Sequence, residues 1–465
     1  MISRSEWPWR RWSLAAVLVL GLGLYMRTSG LFSGLQEGAE WHPDVPKQIR
    51  RLGQYMQGNH TVYSGGDMFY DGYAYGLNRV DEGIIRLVRP AYAVIRKHFI
   101  PGAQSPGFPD NDELYYWARS LRVLYGMLVL LAAMVIARMA GLSRWGGLLA
   151  CLLIGVAPLS ITVSHMGTGD VGVDLFTAGT ILFSVFWAAG KRSVPSTALA
   201  AACVGLAFAS KYHGLLTLFV PGTCLLVRYG IVERKPARLF VLGVCIALAF
   251  VAAVVVANPL FLHHPLRTWS ELQRNIVFIK NYGVSHAFLN LPLSSRVAIS
   301  LHDNIPKILG VVGWALSCIA ATGLLLSVRE VWRNRGALKD NQMIILKLVV
   351  FLYPFVFILL SAAGKPEFSP YHFSSIVLPL AISATCATSF LLRSPRVTVR
   401  ILAAACVVAM LVESGMVAMR DNTFWSRDYI KVVGDSMARE FVPTPKAAGE
   451  DARLAVRRLR LERGS

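Results

Sequence analysis

Long apolar runs joined by short polar segments dominate the chain. A hydrocarbon core of ~30 Å is crossed by a helix of about 20 residues, and runs of that length recur between residues 118 and 418. They do not alternate between apolar and polar positions, which excludes the tilted strands of a membrane barrel. The pattern predicts helices over 13–27, 118–138, 145–164, 171–190, 196–210, 212–229, 238–260, 306–327, 343–362, 372–392 and 400–418. The expected fold class is an all-α polytopic membrane protein of about eleven spans. Segments 196–210 and 212–229 are short and closely joined, which also fits a tilted or re-entrant pair.

Two longer polar stretches interrupt this series: a first external loop, 28–116, and a second, 261–305. A loop as long as the first usually carries function. It has amphipathic stretches near 44–57 and 80–99. In the second of these Ile84, Leu87, Val88, Tyr92, Val94 and Ile95 recur at helical spacing, with Arg86, Arg89 and Arg96 between them. Such helices lie on a membrane surface or pack on one another as a cap. Asn59-His60-Thr61 is a glycosylation sequon, with meaning only in a eukaryotic secretory context. No small-residue cleavage site follows run 13–27, so it reads as an uncleaved first helix.

Charge then orients the bundle. The formal charge is +20, yet only 16% of residues are charged. The basic residues fall in joints after alternate runs: Arg138/Arg144, Lys191/Arg192, Arg228/Arg234/Lys235/Arg238, Arg329/Arg333/Arg335/Lys339 and Arg393/Arg396/Arg400. All lie on one side if the N-terminus is inside, as cytoplasmic loops require. This placement explains the basicity without nucleic acid. The seven cysteines lie within apolar runs and read as small buried hydrophobes. Residues 1–435 form one membrane domain, followed by a short basic tail, 436–465.

On the opposite, outer side this topology gathers polar residues from distant parts of the chain. Asp44 follows the first helix in Glu40-Trp41-His42-Pro43-Asp44. It is a candidate catalytic base, or the cap of a loop helix after Pro43. Arg119 and Arg122 open the second span, where snorkelling explains much and function stands as an equal reading for Arg119. Ser164-His165 ends the third, and Asp170 opens the fourth as a functional acid or an N-cap, with Asp174 one turn deeper. Lys211-Tyr212-His213 interrupts an apolar stretch. Lys365, Glu367, Tyr371 and His372 lie between two late spans. Ionisable groups at a membrane edge are costly to keep and point to function. His165 and His263-His264 fit no metal-ligand spacing, and there is neither a Walker loop nor a GxGxxG motif. No cofactor is indicated, and a divalent metal stays an open alternative that no motif supports.

Several of these segments resemble the polyprenyl-phosphate-sugar-dependent membrane glycosyltransferases of the GT-C class. The similarity is greatest to the family-39-like branch of protein O-mannosyltransferases and lipid A aminoarabinose transferases. His42-Pro43-Asp44 resembles "HPDE", with Val45 in place of the acid. Ala118-Arg119-Ser120-Leu121 with Gly126 resembles the opening of the second helix. Ser164-His165 through Asp170-Val171 resembles "SHYATVDVP". Gly205-Leu206-Ala207 through Lys211-Tyr212 resembles "GLAxATKYTG". Asn258-Pro259 resembles the start of "NPYFL". Tyr371-His372-Phe373 before Leu378-Pro379-Leu380 resembles "RY-x-LPLLP", with His372 near a usual basic residue.

The resemblance implies inverting transfer of one sugar from a polyprenyl phosphate on the external face of a membrane; the sparse sequons and the family style favour a bacterial inner membrane, with the endoplasmic reticulum as the alternative. It implies Asp44 as base, Asp170 as second acid, and Lys211, Arg119, His372, Lys365, Tyr212 and Tyr371 near the donor phosphate. The implied partners are the lipid-linked donor, a glycan, lipid or protein acceptor, and membrane lipids. A lipid or solute transporter also needs many helices and buried charge. It predicts an internal repeat and midplane charges, whereas here no repeat is visible and the charges cluster at one face.

Overall fold

The computed structural model describes residues 7–29, 45–60, 76–99, 111–166, 168–189, 193–281, 290–338, 341–364 and 370–426. Every regular element among them is helical. The chain opens with α1 (Trp7–Thr28), the first expected span, and the first external segment gives α2 (Val45–Met56) and α3 (Gly76–Phe99). The bundle continues with α4 (Asn111–Met139), α5 (Arg144–Gly155), α6 (Pro158–His165), α7 (Asp170–Ala188) and α8 (Ser193–Ser210). A 3-10 turn, Tyr212–Leu218, then leads into α9 (Phe219–Leu225) and a wide π turn, Leu226–Val232. After α10 (Pro236–Ala257), α11 (Leu260–His263) and α12 (Pro265–Asn281) come α13 (Leu293–Val312), α14 (Trp314–Arg333) and α15 (Gln342–Gly364). A second 3-10 turn, Pro370–Ile376, precedes α16 (Val377–Leu392) and α17 (Val397–Ser426).

Among the described residues eight helices are long and apolar enough to cross a membrane, or nine with the bent pair α5–α6. The other two expected spans are also helices, α1 and the shorter α8. α10 exposes Phe240, Leu248, Val251 and Val256, as a helix facing lipid does.

Two expected spans are broken. The stretch 145–164 bends by 58° between α5 and α6. Pro158 opens α6, where its missing N–H costs least. Arg27, fully buried at the end of α1, fills this break. Its guanidinium donates to the carbonyls of Ile154 (3.3 Å), Gly155 (3.2 Å) and Gly23 (3.1 Å), and to Ser160 Oγ (2.8 Å). Gly126 leaves the room, since a Cβ there would lie 2.7 Å from Arg27 Nε.

The other broken stretch is 306–327, divided between α13 and α14 at Gly313, whose φ of +99° disfavours any other residue. Apolar content runs through this point, so periodicity cannot see the break. Glu413 of α17 caps the new start, accepting from the N–H groups of Trp314 (2.8 Å) and Ala315 (2.9 Å). Replacing Glu413 with Ala leaves two helix-end donors without that acceptor. The expected loss is about 1–2 kcal/mol of stability, read as a lower Tm in a detergent melt; an unchanged Tm would remove the capping role.

α2 and the first half of α3 pack as a cap, while Leu87, Val88, Tyr92 and Val94, on the stripe read from the sequence, are exposed. Val45, Ile49, Leu52 and Met56 lie on one face of α2 and meet Leu77 and Ile85 of α3 and Leu114 and Leu121 of α4. Val171 of α7 and Ala207 of α8 complete this small core, which seats the cap on the start of α7.

Candidate functional site

Beneath the cap, Asp170 begins α7 and Lys211 follows the end of α8. Lys211 is extended (φ −157°, ψ 144°) between α8 and the 3-10 turn, which turns its side chain away from the helical path. Its Nζ lies 2.8 Å from Asp170 Oδ2, which also accepts from Thr168 Oγ1 at 2.7 Å. Both charged side chains are buried. The N-terminal end of α7 favours the carboxylate through the helix dipole. Close contact enforces the pairing: a Cβ on Gly169 would lie 2.4 Å from the Ser210 carbonyl oxygen. Asp170 Oδ1 has no hydrogen-bond partner among the described residues.

The polar surface continues down α7 at helical spacing through Asp174 and Thr177. Ser374 Oγ donates to Asp174 Oδ1 at 2.5 Å, tying α7 to the turn Pro370–Ile376. Thr177 meets Thr217 at 3.2 Å. Between these contacts the rings of His213 and His372 lie 5.3 Å apart, and both are within electrostatic range of Asp170. Asp170, Lys211 and His372, read from the sequence as site residues, are therefore one cluster. Arg119 is buried on α4, one turn before Arg122, within electrostatic range of His165. Tyr212 turns its ring onto Phe208, with centroids 5.7 Å apart. The backbone of Tyr371 lies in the second 3-10 turn. Asp44, Lys365 and the side chain of Tyr371 lie outside the described residues.

A second ion pair fastens the cap to this cluster. Arg122 Nη1 donates to Asp81 Oδ1 of α3 at 2.8 Å, and Tyr125 Oη donates to the same oxygen at 2.6 Å. Arg122 Nε reaches the Thr168 carbonyl at 3.0 Å, two residues before Asp170. Sequence reading gives Asp81 no role, because on an amphipathic helix it looks like a solvated residue. A partner is legible only in the aspartate's place on the apolar side, beside Leu77 and Ile85. Further out, Glu82 is buried. Burial opposes its ionisation, but hydrogen bonds from His60, Arg86 and Arg79 outweigh that cost and hold its carboxyl below the usual glutamate range.

The cluster offers a fixed cation, two imidazoles and a carboxylate with one oxygen open. Chemically, such a set can pair with an anion and accept a hydrogen bond from a hydroxyl. Among the described residues no three His, Cys, Asp or Glu side chains are arranged to hold a metal.

No family model matches the sequence, and neither does any curated protein. Solved structures do match in fold. The archaeal oligosaccharyltransferase AglB from Archaeoglobus fulgidus, in complex with an inhibitory peptide and a dolichol-phosphate, superposes with a TM-score of 0.59 at 12% identity. The match covers 91% of this chain and 56% of that one. A crystal structure of an Archaeoglobus fulgidus oligosaccharyltransferase in complex with Zn and sulfate gives 0.57 at 13% identity, covering 94% and 56%. ArnT from Cupriavidus metallidurans in the apo state gives 0.48 at 14% identity, covering 92% and 77%. This chain thus spans little more than half the length of the oligosaccharyltransferase. The chain has the membrane-helix fold of the archaeal oligosaccharyltransferase, in keeping with the GT-C architecture that its motifs resemble.

Proposed function

We propose that this chain is an inverting membrane glycosyltransferase that moves one sugar from a polyprenyl phosphate to a hydroxyl acceptor. The observation that carries the reading is the buried Asp170–Lys211 pair, flanked by His213 and His372 and roofed by the α2–α3 cap. The fold it shares with an enzyme solved bound to a dolichol-phosphate supports it.

In this reading Asp44 takes the proton of the acceptor hydroxyl as its oxygen attacks the anomeric carbon from the face opposite the phosphate. The bond between that carbon and the phosphate oxygen breaks, and its electron pair stays on the phosphate. The lipid phosphate thereby gains a second negative charge. Lys211 meets it as a preorganised point charge, with Arg119, His372 and Lys365 adding to the local field. Tyr212 and Tyr371 line the donor side. Asp170 holds Lys211 in place and presents Oδ1 to a hydroxyl of the sugar or acceptor. The site faces the periplasm of a bacterial inner membrane, opposite the basic loops.

The test uses purified protein in lipid with a panel of radiolabelled polyprenyl-phosphate sugars. Wild type should release polyprenyl phosphate and label an acceptor in a membrane extract. Asp44→Asn should keep donor binding and lose about 10²–10⁴-fold in transfer. Equal turnover in both would remove Asp44 as base. Failure of the wild type to bind any donor would overturn the reading.

A further inference from the structure

At the end of the bundle opposite Asp170, α14, α15, α16 and the turn after α4 enclose a cavity of about 380 Å³. From Arg122 to Ala140 the helical rise is ~27 Å at ~1.5 Å per residue, close to a hydrocarbon thickness of ~30 Å. With the candidate site at one membrane surface, this cavity lies at the other. Exposed tryptophans mark the level. Leu325, Val328 and Trp332 form an outward stripe on α14, with Trp332 74% exposed at its end, and Trp145 is exposed at the start of α5.

The cavity has two kinds of wall. Phe351 and Phe390 belong to an apolar interior, while Arg329, Arg333, Lys347 and Arg393 are basic. The lining holds one carboxylate, Glu330, 3.6 Å from Lys347. Arg329, Arg333 and Arg393 have no ion-pair partner among the described residues. Helix dipoles account for a basic residue at the end of α14 and another at the end of α16. They do not account for four cations converging on one concave opening with an apolar wall.

We propose that this cavity binds the headgroup of an anionic phospholipid. Its phosphodiester sits among the three arginines and Lys347, and its glycerol and first acyl carbons lie against Phe351 and Phe390. Basic pockets between transmembrane helices on the cytoplasmic side are suited to such headgroups. The inference is independent of the transfer reaction.

The test equilibrates the detergent-solubilised full chain with equimolar dioleoyl-phosphatidylglycerol and dioleoyl-phosphatidylcholine. Native mass spectrometry then counts the lipid retained. Wild type should keep one tightly held phosphatidylglycerol. In Arg333→Gln/Arg393→Gln its affinity should fall about thirtyfold. Arg396→Gln/Arg400→Gln removes equal charge from the same membrane face and should retain it unchanged. Should the first pair lower the Tm, Arg329→Gln/Lys347→Gln repeats the measurement from the other walls. Equal loss in the control pair, equal retention by the cavity variants, or equal retention of phosphatidylcholine would overturn the proposal. So would displacement by millimolar inorganic phosphate, which would assign the cavity to a free anion.

Discussion

Lys211→Met is expected to lower stability by about 3–5 kcal/mol, because it leaves Asp170 ionised and buried with Thr168 as its remaining hydrogen-bond donor. The measurement is a thermal melt followed by size-exclusion chromatography. The double variant Asp170→Asn/Lys211→Met should recover most of that loss, since it removes both charges together. Transfer should not recover. If Lys211 meets the charge growing on the leaving phosphate, its removal costs on the order of 10²–10³-fold in kcat whether or not the protein is stable. The double variant thus separates the two roles. A stable, active double variant would leave the pair as packing alone. A stable Lys211→Met single variant would show that Asp170 is not held as an ion by Lys211.

The second large effect concerns the cap. Arg122→Met removes the partner of Asp81 and the donor to the Thr168 carbonyl together. Asp81 is fully buried, so the expected cost is again about 3–5 kcal/mol. Hydrogen exchange locates the damage: amides of Gly76–Phe99 and of residues 168–172 should exchange faster, while those of α16 should not. Arg122→Lys keeps the charge and loses the planar fork that serves Asp81 and Thr168 at once. It should remain folded yet loosen residues 168–172. Faster exchange throughout the bundle would mean that the pair supports the whole fold. Unchanged exchange in α3 would mean that the apolar contacts of α2 and α3 hold the cap unaided.

These two pairs show what the sequence makes legible. The amphipathic helices near 44–57 and 80–99 emerge at Val45–Met56 and Gly76–Phe99, because a one-sided apolar stripe is a local signal. Asp170 and Lys211 stand out as charges interrupting apolar runs, and topology alone places them on one face. Their direct contact depends on the close approach at Gly169, which no local pattern records. Asp81 and Arg122 are harder still. Each has a bland local explanation, a solvated helix face for one and a snorkelling terminus for the other, and only packing brings them together. The breaks at Pro158 and Gly313 escape hydropathy because the apolar composition continues through them.

The bend between α5 and α6 also bears on how the chain is assembled. A break within a nonpolar medium leaves carbonyls that water cannot reach, and those of Ile154 and Gly155 are met by a side chain about 127 positions earlier. Arg27 leaves the ribosome long before its acceptors do. The first helix must therefore enter the bilayer with an unneutralised guanidinium near its outer end and wait, held at the headgroups, until the third hydrophobic segment arrives. The satisfied form of the bend therefore requires the first helix to be docked against it. A residue of the amino-terminal helix thus completes the backbone hydrogen bonding of a helix pair made much later.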